Sequence, residues 1–289
     1  MVILMKHPMK ETTKIILWLI ALVTVGLYAV PNVLKVTPTT EFVNPLLYIG
    51  VLVLAIGFGA VFWSLMMKKL KPENVDIVFS FAVGAITGRA LFIFFPFLNN
   101  IGEWPSFIAK LLIMVGGFYV FIKLVRTMQK SWEYTKKYVW ISNAWVNACI
   151  ATAGAMIAVD IAPWMAILVL FIASCYDAWA VWKSKTMIKM ANYFIGRRIF
   201  PGIAVPYRDK RKFAMLGGGD IFFIVLVAAS FFRNDPLSMY ITAATMTGAT
   251  MVLFMMSTKD KFYPALPFIF AGLLVGIVLR FVVWTVMLI

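Results

Sequence analysis

The chain has 289 residues, 63% of them hydrophobic and 13% charged, with a formal net charge of +15. Soluble domains carry about 25% charged residues, so this balance excludes a water-soluble fold. Continuous apolar runs of about 20 residues, without strand-like alternation, exclude a membrane β-barrel.

Charges and Pro/Gly breaks divide the chain into nine predicted transmembrane helices. They lie at about 14–34, 45–67, 75–98, 106–127, 138–159, 161–182, 213–232, 238–257 and 263–288. The first follows Lys6, Lys10 and Lys14 without a convincing small-residue cleavage site, so it reads as a retained helix and not a removed signal peptide. The fifth and sixth form one run from Tyr138 to Tyr176 broken only by Asp160. Asp160 as a cap and Pro163 in a first turn mark the fold-back.

Orientation follows from the basic residues. With the N-terminus inside, the inner segments hold 22 of the 27 Lys and Arg residues, and the outer segments hold Lys35, Lys110 and Arg233. Such a bias predicts the N-terminus inside and the C-terminus outside. It also accounts for the positive charge without a nucleic-acid partner. Arg89 and Arg280 fall within spans and are expected to snorkel outward. Arg280 has the C-terminal carboxylate as an alternative partner. Asn143 and Asn147, one turn apart in the fifth span, are expected to bond to a neighbouring helix.

The long connection is 183–212, on the inside. "KSKTMIKMANYFIGRRIF" mixes basic and apolar residues at near-helical spacing, so it either extends the sixth helix or lies along the membrane surface. "PGIAVP" after it favours an extended backbone. The chain reads as one membrane-embedded domain over 1–289: helices one to six at 14–182, the basic loop at 183–212, and helices seven to nine at 213–288.

Two cysteines, Cys149 and Cys175, read as small buried residues in apolar runs, and the one histidine is His7. A disulfide framework, a His-based metal site and a Ser-His-Asp triad are therefore not expected. Of 12 acidic residues, ten lie in loops or near span ends. Asp177 and Asp220 do not. They fall at matching depth, roughly 8–11 Å below the inner surface, on consecutive antiparallel helices. Carboxylates within a membrane are costly and mark function. Two brought close share a proton, so one acts as base toward a water and the other as acid toward a carbonyl. On the carboxylates alone, a proton or ion path in a transporter is the commoner use, and both readings stay open. The glycines before Asp220 are likewise either packing devices or openings in the helix surface.

Three short motifs occur in order: "YD" at Tyr176–Asp177, "LGGGD" at Leu216–Asp220, and "PAL" at Pro264–Leu266. On the sixth, seventh and ninth predicted spans, they resemble the YD, GxGD and PAL motifs of the presenilin and signal peptide peptidase family of intramembrane aspartyl proteases. The wider context is most similar to the archaeal presenilin homologues. The resemblance implies a multi-pass hydrolase of a prokaryotic cell membrane, with Asp177 and Asp220 as the catalytic dyad. Gly217 and Gly219 are the two fixed glycines, and Gly218 holds the variable position. Tyr176, Leu216, Pro264, Ala265 and Leu266 would shape the active site or bind substrate.

Its substrates would be transmembrane helices, unwound locally before peptide hydrolysis. Ile203, Ala204 and Val205 are the candidate edge for a substrate strand, by position. No cofactor or metal is implied, and no oligomer is required. The alternative is a proton- or cation-coupled transporter using the same carboxylates; a third reading is an inactive relative that binds helices. Tyr176 is expected mainly to anchor at the interface with Trp179 and Trp182.

Overall fold

A computed structural model describes residues 9–36, 71–94, 103–184, 186–206, 213–233, 235–257 and 262–287, with scattered positions between 50 and 69. Seven of its helices are long and apolar enough to cross a membrane. The protein is a multi-pass helical membrane protein.

In chain order the helices are α1 (Met9–Val36), α2 (Pro72–Phe94), α3 (Glu103–Lys130), α4 (Trp132–Ala158), α5 (Pro163–Trp182) and α6 (Thr186–Arg197). Strands β1 (Gly202–Pro206) and β2 (Phe213–Gly217) follow, then α7 (Gly218–Ser230), α8 (Pro236–Met256) and α9 (Leu266–Met287). The expected second span, 45–67, lies largely outside the described residues. Among the described residues, the expected all-helical architecture gains one two-stranded antiparallel sheet.

The fold-back between α4 and α5 occurs where expected, with one correction. Asp160 lies within the turn, its amide donating to the Ile157 carbonyl at 3.2 Å. The cap of α5 is Ala162, and Pro163 opens the helix. Pro tolerates this place because a first-turn amide has no intrahelical partner.

Helix α7 is the centre of the bundle. Its residues Ile221 and Phe223–Ser230 are all buried, as befits a helix apolar on every side. It packs against α1, α4, α5 and α8. Helix α5 leans on α9, and α8 and α9 form a close pair. At Gly272 of α9 an added Cβ would lie 2.7 Å from the Thr245 carbonyl oxygen of α8, so a side chain there would separate them.

The seventh span departs most from expectation. Residues 213–217, expected as its first turns, are strand β2. The glycines that follow are poor helix formers, and β1 offers a paired alternative. Thirteen residues of helix measure about 20 Å, short of the hydrocarbon core of about 30 Å.

Candidate active site

Asp177 stands on α5, five residues before its end at Trp182. Its Oδ2 accepts the amide hydrogen of Leu266 at 3.2 Å, and Leu266 is the first residue of α9. The Ala265 amide also faces this carboxylate. One turn earlier on α5, the Ser174 hydroxyl donates to the Leu266 carbonyl at 3.0 Å and to the Leu170 carbonyl at 2.8 Å. Both backbone groups of Leu266 are thus held by α5. Pro264, Ala265 and Leu266 are buried, and the Ala265 carbonyl accepts the first two bonds of α9, from Phe268 and Ile269.

Asp220 is the third residue of α7, behind the cap Gly217. That place corresponds to the acid of a capping box, where a carboxylate reaches back to the cap amide. The Gly217 amide is its partner here. Each carboxylate therefore sits at the N-terminal end of a helix, Asp220 at α7 and Asp177 at α9. Unpaired amides and the helix dipole favour acids at such ends. The two also lie within electrostatic reach of each other. The structure thus links Asp177 of YD, Asp220 of GGGD and the backbone of PAL.

The glycines divide their work. Gly218 is buried, its amide donates to the Pro201 carbonyl at 2.8 Å, and an added Cβ would lie 2.8 Å from that oxygen and 2.5 Å from Ile150 Cδ1. Gly217 and Gly219 are exposed; a Cβ on Gly219 would meet nothing within 4 Å, and one on Gly217 only the Asp220 carboxylate. The middle glycine is a close-packing device, and the flanking two leave the surface beside Asp220 bare. Leu216 is buried within the hairpin, paired with Ile203.

Tyr176 is exposed and its ring lies 6.0 Å from that of Trp179, the aromatic contact expected of an anchoring residue.

The expectation for Ile203, Ala204 and Val205 needs correction. These residues do form a strand, pairing with Leu216, Met215 and Ala214 of β2. Its far edge is closed. The Ala204 carbonyl accepts from Asn143 Nδ2 at 2.8 Å, and the Ala204 amide donates to Asn143 Oδ1 at 3.0 Å. All three strand residues are fully buried against the bundle. The expected role of Asn143 in bonding a helix is corrected by the same contacts. Asn147 bonds within its own helix, donating to the Asn143 carbonyl at 2.8 Å. Sequence reasoning missed the strand partner of Asn143, because it is a backbone 61 positions away.

Because Ala204 turns its polar groups toward Asn143, the Ala204–Met215 pair is a non-hydrogen-bonded one. Met215 therefore directs its amide and carbonyl away from β1, at the outer edge of β2.

Arg280 does not snorkel alone, and the C-terminal carboxylate named as its alternative partner lies outside the described residues. Its guanidinium bonds Asp235, the cap of α8, and donates to the Ser238 hydroxyl at 3.1 Å. The close α8–α9 pairing brings Arg280 beside the start of α8.

No protein-family model matches the chain, and no curated protein matches it. Solved structures that match include that of a presenilin family intramembrane aspartate protease. The match covers 93% of this chain and 99% of that one, at a TM-score of 0.59 and 16% sequence identity. The chain has the presenilin-like fold.

Proposed function

We propose that the protein is an intramembrane aspartic endopeptidase of the GxGD type, cutting transmembrane-helix substrates with Asp177 and Asp220 as the catalytic dyad. The observation that carries this reading is that two carboxylates, each at a helix N-terminus, lie within electrostatic reach of each other, beside bare glycines and an outward-facing strand edge. The solved protease of like fold supports it.

One carboxylate, ionised, takes a proton from a water as its oxygen attacks the scissile carbonyl carbon. The other, protonated, gives its proton to the carbonyl oxygen. The tetrahedral diol then collapses, the C–N bond breaks, and the amine leaves with a proton returned through the dyad. The pair acts as one titrating unit.

A helix must unwind before it can be cut, and its freed backbone groups need partners within the membrane. The Met215 amide and carbonyl on β2 serve as those partners, so the substrate adds a third strand at β2, not at β1. Gly217 and Gly219 leave room for its backbone beside Asp220.

The proposed topology has nine spans, with the N-terminus inside, the C-terminus outside and the dyad near the inner leaflet, in a prokaryotic membrane. The basic-residue bias supports this direction.

The test is reconstitution in lipid with a helical reporter substrate. Wild type yields two fragments; Asp177→Asn and Asp220→Asn yield none. Cleavage surviving either change would overturn the dyad. Carboxylate-dependent ion flux without fragments would replace the protease with a transporter.

A further inference from the structure

Asn143 is fully buried on α4 and spends both ends of its amide on one residue, Ala204. Accepting from the amide and donating to the carbonyl is the pattern a neighbouring strand would supply. The side chain thus stands where a third strand would lie on the far edge of β1. A one-residue slip of β1 would place a side chain of opposite facing there and leave the Asn143 amide unpaired in the core.

The consequences run along the backbone. With Ala204 held, β1 fixes β2 through the pairs Ile203–Leu216 and Val205–Ala214. Just before β1, the Pro201 carbonyl accepts the Gly218 amide at 2.8 Å, at the first residue of α7. Gly202 tolerates no side chain, since a Cβ would lie 2.2 Å from the Leu216 oxygen. Asp220 follows two residues after Gly218. The hairpin's register, the outward-facing groups of Met215 and the place of Asp220 are therefore one rigid unit anchored at Asn143.

Resting on the protease reading, we propose that Asn143 is a positioning residue: by fixing the register of β1 against α4, it sets the register of the substrate strand on β2 and so which peptide bond is cut. It acts through Ala204 and touches neither carboxylate. Two independent strand-to-strand pairs pass its position to Met215, and the Pro201–Gly218 bond passes it to Asp220.

The experiment compares wild type, Asn143→Ala and Asn143→Asp, the last keeping the acceptor for the Ala204 amide. Phe121→Leu, in the α3 core, serves as a control for general loosening. Mass spectrometry of the products of one helical reporter reads the cut position. Backbone hydrogen exchange, on the same proteins without substrate, reads the hairpin at 202–206 and 213–217.

Wild type is expected to cut mainly at one bond. Asn143→Ala spreads cleavage over adjacent bonds and speeds hairpin exchange about tenfold or more, the loss of two buried hydrogen bonds. Asn143→Asp lies between, and Phe121→Leu keeps one cut position whatever its rate. An unshifted cut position in both Asn143 variants overturns the proposal. If wild type makes no fragments, the protease reading fails by itself. The hairpin exchange then decides whether Asn143 sets the register, and unchanged exchange in Asn143→Ala overturns that too.

Discussion

Asp177 and Leu266, 89 residues apart, are joined by a carboxylate-to-amide hydrogen bond of 3.2 Å that ties α5 to the first residue of α9. Ser174 completes the hold by donating to the Leu266 carbonyl at 3.0 Å. The helix start therefore orients Asp177, and Ser174 orients the helix start. Ser174→Ala keeps both carboxylates and loses that hold. Its retained helical geometry limits the loss of stability to about 1 kcal/mol, the worth of one buried bond. On the protease reading, cleavage falls more than stability does, because Asp177 gains freedom in a reaction sensitive to small displacements. Thermal unfolding in detergent, set beside reporter cleavage, measures both.

The adjacent glycines give opposite expectations. Gly218→Ala drives a Cβ against the Pro201 oxygen and Ile150, and it costs about 1–3 kcal/mol as an overpacked site. Gly219→Ala meets empty space and gains up to about 1 kcal/mol of helix propensity. On the protease reading, the stable variant is nevertheless the one whose new methyl group stands in open space next to Asp220. Gly219→Ala is expected to melt at or above the wild-type temperature and cleave slowly, whereas Gly218→Ala melts lower. A Gly219→Ala protein with full activity would show that substrate does not pass there.

Asp235 caps α8 and meets Arg280. Slight burial pushes its carboxyl upward, but the bonds from Ser238 and Arg280 outweigh that and hold it below the usual carboxylate range. A group with a depressed folded value stabilises above its unfolded value and loses that effect as pH falls through the folded one. Asp235→Asn retains a good cap and removes the charge. The melting temperature should drop at pH 5–8 by an amount matching about 0.5–1 kcal/mol. The gap to wild type should close below about pH 4, near and under the free Asp value. Melting curves across that range check the sign.

Much of this was legible in the sequence because membrane helices announce themselves locally. Length, apolarity and the break at Pro163 placed α5 within two residues and the end of α4 within one, though α4 begins six residues before its expected start, and two misplaced acids with three short motifs singled out the candidate site. What was hidden depends on pairing at a distance. Residues 213–217 look apolar enough to continue a helix, and only β1 makes them a strand. Asn143 reads as helix glue until its partner is known to be a backbone. Arg280 reads as a snorkelling residue until the α8–α9 pairing sets Asp235 beside it. Gly218 occupies the variable motif position, yet the Pro201 oxygen makes it the tightest of the three.

Orientation can be read by chemical labelling. A single cysteine introduced as Lys189→Cys, on the exposed side of α6, is expected to react only with reagent supplied from the inner side. One introduced as Arg233→Cys, after α7, reacts from the outer side. Both are placed in a chain with Cys149 and Cys175 replaced. The reverse pattern would invert the topology.

Helix α6 is fastened to the bundle at its last residue. Arg197 pairs with Asp76 of α2, and Gln129 of α3 donates at 3.0 Å both to that carboxylate and to the Arg197 carbonyl. The next residue, Arg198, has a positive φ of 56° and donates to the Met128 carbonyl at 2.8 Å, which turns the chain toward β1. The Asp76 side chain is only 7% exposed and that of Arg197 is 29% exposed. Removing one partner strands a buried carboxylate, which costs about 3–5 kcal/mol in a fully buried pair. With Arg197 part-exposed and Gln129 still bonded, Arg197→Met should cost less, about 2 kcal/mol. Asp76→Leu added to it removes the stranded charge and should recover a good part of that loss. Thermal unfolding of the two single variants and the double one measures the coupling, and strictly additive losses would mean that the pair does not fasten α6.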